Sequence, residues 1–201
     1  MMNFQATLAL MGFCFVSSIT PGPNNLMLLT SGARFGFVRT LPHLIGVSGG
    51  FTLMILLVGA GIKAIFDLVP FFQDALRGLS IVYLIYLAWK IANAPCSFSN
   101  QAEDHGRPMN FLQAALFQWV NPKAWAMAVT ALTIYVPSQN PNLALLVTAA
   151  VFGAINLPCV GLWAAVGTRL RVILSSPRRH RLFNRGAAIL LVATLYPFLF
   201  Q

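Results

Sequence analysis

The chain has 201 residues, 58% of them hydrophobic and only 8% charged, with a mean hydropathy of +0.74. A soluble domain carries about 25% charged residues to solvate its surface, so this composition excludes an ordinary water-soluble enzyme or binding module and requires a surface that faces lipid. The net charge of +9 suits loops held on the cytoplasmic side of a membrane better than it suits nucleic acid, and no nucleic-acid partner is expected.

Lipid offers no hydrogen bonds to the backbone, so spanning segments must be helices or a closed barrel. The apolar runs are long and lack the alternation of barrel strands, which predicts an all-α polytopic membrane protein of six transmembrane helices. In chain order they cover roughly residues 4–31, 41–62, 71–89, 111–135, 143–167 and 182–200. The first has no basic residue before Arg34 and is too long for a signal-peptide core, so it reads as a span. The third contains Asp74 and Arg77, three apart and able to pair on one helical face. Cys14 and Cys159 lie within apolar runs and read as buried small hydrophobes, not as a disulfide or metal site.

The loops set the orientation. Arg34 and Arg39 follow the first span, Lys90 and Arg107 the third, and Arg169, Arg171, Arg178, Arg179, Arg181 and Arg185 the fifth, ten basic residues on one side. The other side has Lys63 and Arg77. Positive charge stays inside, so both termini are expected outside the cytoplasm. The stretch 169–181 reads as a basic cytoplasmic loop able to lie on anionic lipid.

Two breaks interrupt this pattern. In the first span, Thr20-Pro21-Gly22-Pro23-Asn24-Asn25 places two residues without backbone N–H around a glycine, freeing carbonyls near Ser17 and Ile19. Asn24 or Asn25 is then placed to cap a second half-helix. The N–H groups of such a half-helix attract an anion, and the freed carbonyls attract a cation. Pro21, Gly22, Pro23, Asn24 and Asn25 are therefore candidate ligands for a zwitterion such as an amino acid, with Ser17 or Ser18 beside them. In the fourth span, Asn121-Pro122-Lys123 forms the second break. Lys123 falls near mid-bilayer, where an ionisable group is costly and reads as functional. The breaks lie about 97 residues apart, each opening a three-span half. This predicts an inverted 3+3 repeat, with halves of about 1–95 and 108–201 and a site at their interface.

Weaker signals complete the set. His43, beside Pro42 at the start of the second span, is a candidate proton carrier or an interfacial anchor. Asn156, with Pro158, bends the fifth span or offers a polar partner to the cavity. The run Gly46-Val47-Ser48-Gly49-Gly50 permits close helix packing. Its Gly-x-Ser-Gly pattern fits an intramembrane serine protease, but His43 lies on the same helix about 140° from Ser48 and cannot serve as its base. No cluster of catalytic acids, histidines or metal ligands is present, so neither an enzyme nor a cofactor is expected.

The segments TPGPNN (20–25), LMLLTSGARFG (26–36), YLAWKIA (86–92), QWVNPK (118–123) and Asn156-Leu157-Pro158 resemble the lysine-exporter family, in its threonine/homoserine-exporter branch. Residues 88–92 and 129–132 look closest to its exporters of cysteine and O-acetylserine. The resemblance implies a single six-span domain in the bacterial inner membrane, exporting a small neutral amino acid at the expense of a proton gradient. One departure bears on coupling. No carboxylate lies centrally in a span, which leaves His43 and Lys123 as proton carriers, with Asp67 or Asp74 useful only at an outer vestibule. An uncoupled channel or lipid scramblase is the alternative, and a homo-oligomer is compatible with the sequence.

Overall fold

The computed structural model describes residues 4–62, 71–94, 106–136, 141–174 and 176–196, and all regular structure among them is helical. Helix α1 (Phe4–Ile19) stops where Pro21 and Pro23 withdraw two donors in succession, and α2 (Pro23–Phe35) resumes at an angle of 53°. Gly22 is the N-cap of α2, with extended backbone and no side-chain cap. The asparagines lie inside the first turn instead, because Pro23 already occupies the favoured first helical position. This corrects the expectation of an asparagine cap. Gly36 ends α2 at φ 81, a left-handed conformation that favours glycine, and α3 (Phe37–Leu57) begins at once. The second span thus starts earlier than residue 41, because Gly36 and not Pro42 breaks the chain. A π-helical turn, Val58–Ile62, closes it.

Helix α4 spans Phe72–Ala92. Helix α5 (Phe111–Phe117) starts at a capping box in which Gln113 N–H donates to the Asn110 side chain and Asn110 N–H donates to that of Gln113. A 3₁₀ turn (Gln118–Val120) follows, then α6 (Pro122–Tyr135), whose N-cap Asn121 accepts from Lys123 N–H. The last two helices are α7 (Pro141–Ile173) and α8 (Pro177–Ala193), the latter capped by Ser176. Arg169 and Arg171, expected in a loop, belong to the last turns of α7, and Arg178–Arg185 to the first half of α8. The expected 169–181 loop is therefore reduced to a short connection. Arginines near a helix C-terminus complement its dipole, so their charge does not end α7. Asp67, Glu103, Asp104 and His105 lie outside the described residues.

Among the described residues, three helices are long and apolar enough to cross a membrane, Phe37–Gly61, Asp74–Ala92 and Pro141–Ile173, and the bent α1–α2 pair makes a fourth when it is counted as one span. Helix α7 is central, packing on α1, α2 and α3, while α3 also packs on α5 and α4 on α8. Small residues permit these approaches. Gly32 of α2 lies against the Ala164 carbonyl, Gly167 of α7 against that of Leu29, and a side chain at either would overlap backbone. Gly46 and Gly50, one turn apart on α3, meet Phe111 and Ala115 of α5 in the same way. Phe13, Phe51 and Phe152 interlock edge-to-face in the largest apolar cluster, which includes buried Cys14. Cys14 and Cys159 are both buried and free. Large apolar side chains such as Val82, Val172, Leu182 and Ile189 point outward, the surface that lipid would cover.

Candidate functional site

The two breaks meet. Every carbonyl from Ser17 to Pro21 finds a donor, and two of the donor side chains, Lys123 and Trp163, come from far along the chain. Thr20 Oγ1 donates to Ser17 O at 3.2 Å. Asn25 Nδ2 donates to Ser18 O and Thr20 O at 2.8 and 2.7 Å. Trp163 Nε1 donates to Ile19 O at 3.0 Å. Lys123 Nζ donates to Thr20 O, Thr20 Oγ1 and Pro21 O at 2.8, 2.9 and 3.3 Å. An ammonium has three N–H donors, so these contacts use them all. The cation that the freed carbonyls attract is the protein's own lysine, clamping the second break onto the first. Gly22 makes room for it: a Cβ there would stand 2.7 Å from Lys123 Cδ and 3.2 Å from Nζ.

A second link lies one turn away. Asn24 and Gln118 exchange amide hydrogen bonds at 2.8 and 3.2 Å, and Gln118 also donates to Ala114 O. The breaks frame a narrow cleft. Its polar wall holds Ser17, Ser18, Asn24, Asn25, Asn121 and Lys123, and its apolar wall Phe51, Met127 and Val160. Asn156 reaches in from α7. Its Nδ2 donates to Ser18 Oγ at 3.1 Å, while its Oδ1 is buried with no partner. A buried acceptor left unpaired costs about 1–3 kcal/mol, so this oxygen calls for a donor from within the cleft.

The profile of the LysE type translocator family matches residues 15–196. The chain belongs to that family. Among its relatives, the cysteine/O-acetylserine efflux protein of Escherichia coli (strain K12) is 34% identical over 164 residues, covering 77% of this chain and 78% of the relative. The cysteine/O-acetylserine efflux protein of Salmonella typhimurium is 31% identical over 162 residues, with 77% and 78% covered. No solved structure matches the chain.

In this LysE-type chain the cleft gathers Gly22, Asn24, Asn25, Asn121, Lys123 and Asn156, while Pro21 and Pro23 flank Gly22 in the chain and do not line it. His43 is not with them. It is 2% exposed and lines a different cavity beside Arg34. The two coupling candidates are thus separated. Three participants were not singled out from sequence: Thr20 as an acceptor, Gln118 and Trp163. Trp163 lies seven residues after Asn156, two turns along the same face of α7, and that spacing is the signal that would have found it.

Proposed function

We propose that this chain exports a small neutral amino acid or derivative, of the cysteine, O-acetylserine, homoserine or threonine type, across the bacterial inner membrane in exchange for protons. The observation that carries this reading is the cleft where both breaks converge, with one ammonium and one unpaired amide oxygen in its wall. A zwitterion needs both. Its carboxylate is drawn to Lys123 and to the N–H groups of Asn24 and Asn25, which lack intrahelical carbonyls in the first turn of α2. Its ammonium is drawn to Asn156 Oδ1. Lys123 that turns toward a carboxylate releases Thr20 O and Pro21 O, so substrate binding loosens the clamp between the breaks. Lys123 is then the group through which protons and substrate are linked; His43 is a second candidate, remote from the cleft.

Six spans follow when α5 with α6 counts as the fourth and α8 as the sixth. The packing pattern supports an inverted repeat. Exchanging first for fourth, second for fifth and third for sixth turns the α1–α7 pair into the α5–α3 pair and leaves α3–α7 and α4–α8 unchanged. Arg34, Lys90, Arg107 and the first half of α8 gather at one end of the bundle, which favours the cytoplasmic side for that end. Reporter fusions at Ala102 and Ser176 should then report cytoplasm, and fusions at Gln139 and Gln201 should report periplasm. Positions 102, 139 and 201 lie outside the described residues. A periplasmic signal at Ser176 would overturn the topology.

The substrate assignment rests on Asn156. In cells loaded with dipeptides, Asn156→Ala should weaken export about ten- to a hundredfold, the loss of one hydrogen bond to a charged group. Protein levels in the membrane should stay within a factor of two or so of the parent, since the change removes an unpaired acceptor along with a single bond to Ser18. Full export by this variant would remove Asn156 from the site.

A further inference from the structure

The cleft at the two breaks has about 20 Å³ of free space, room for one water molecule and not for an amino acid. Part of its wall must move before a substrate enters. Among the described residues, the large apolar side chains of that wall are Phe51, Met127 and Val160. Two of them are fixed. Phe51 is 2% exposed, and its ring meets Phe152 edge-to-face at 5.1 Å. Phe152 meets Phe13 in turn at 5.9 Å, so the Phe51 ring is held in a chain of three. Val160 is 1% exposed, stiffened by its branched Cβ, and packed among Leu28, Leu44, Val47 and Ala164. Met127 differs on both counts. It is half-buried at the edge of the Phe51 cluster, and its unbranched thioether has three rotatable bonds. It also lies one turn beyond Lys123 on the same face of α6. Val160 stands one turn beyond Asn156 in the same way, but only at Met127 can the wall give. A substrate held by Lys123 and Asn156 finds room for its side chain there.

We propose, on the basis of the export reading above, that Met127 sets the length of amino-acid side chain the protein carries, folding aside to admit it against Phe51. A smaller residue at 127 then admits longer side chains, and a stiffer residue of equal volume admits only shorter ones. The test is counterflow of labelled L-cysteine in proteoliposomes, with a reductant present. Unlabelled L-alanine, L-norvaline and L-norleucine compete, and they differ only in the length of an unbranched side chain. The quantity read is the half-inhibiting concentration of norleucine divided by that of alanine. This ratio does not depend on how much protein inserts. Met127→Ala removes the chain beyond Cβ and should lower the ratio about tenfold or more, the discrimination carried by one methylene in an apolar pocket. Met127→Leu conserves volume and keeps the fold. Leucine is branched and has fewer rotatable bonds, so this variant should raise the ratio. An unchanged ratio in either variant, or shifts of the same sign in both, would overturn the assignment of Met127 and leave the export reading standing. Absence of stereospecific counterflow in the parent protein would overturn the export reading, and the assignment with it.

Discussion

Lys123→Met should reduce export at least tenfold in a protein that still inserts. Methionine keeps the apolar stem that lies along Gly22 and removes the three donors held by Thr20 and Pro21. Thr20 O retains Asn25, so the uncompensated loss falls on Pro21 O, about 1–3 kcal/mol for one unpaired carbonyl. That is a dent in stability and not a collapse, whereas the cleft loses its only described cation. Lys123→Arg separates the roles further. Arginine keeps a positive charge but will not release its proton, so it should retain exchange of substrate and lose accumulation driven by a pH gradient. Efflux and pH-driven uptake, measured at matched membrane levels, check both. Unchanged export by Lys123→Met would reduce the lysine to a structural cap on the broken helix.

Gly22→Ala should reproduce much of that defect without touching a charge. The glycine's backbone is extended (φ −176), so alanine is not strained there. The conflict is steric. The added methyl falls within 2.7 Å of Lys123 Cδ, and the lysine must swing away from the carbonyls it clamps. Export should fall about tenfold, the equivalent of one charged hydrogen bond. The fall should be largely absent when Gly22→Ala is placed on Lys123→Met, because residues acting through one contact are not additive. Independent, multiplying losses would mean that Gly22 acts by some other route.

Both breaks were legible because proline writes its effect locally: Pro21, Pro23 and Pro122 each delete a donor wherever the chain goes next. What fills the freed carbonyls was not legible. Lys123 meets Thr20 across 103 positions and Trp163 meets Ile19 across 144, and no local pattern encodes which distant side chain arrives. The sequence expects the freed carbonyls at the first break to attract a cation, and the group that sits on Thr20 O and Pro21 O is the protein's own Lys123. The Asn25 side chain donates to Ser18 O and Thr20 O and so holds the break in shape, while the residue also lines the cleft. Basic residues misled the placement of helix ends. Arg169 and Arg171 looked like loop, yet arginine is a good helix former whose long stem tolerates an apolar flank. Gly46 and Gly50 were read correctly, since their one-turn spacing is itself the signal of a packing face.

The most direct test is counterflow in proteoliposomes holding the purified protein. Vesicles preloaded with unlabelled L-cysteine or O-acetyl-L-serine should transiently accumulate the labelled compound, and the D-enantiomer should not replace it. Lys123→Met and Asn156→Ala should both lose this accumulation. Equal flux of both enantiomers, or counterflow unchanged in both variants, would contradict a substrate site at the junction of the two broken helices.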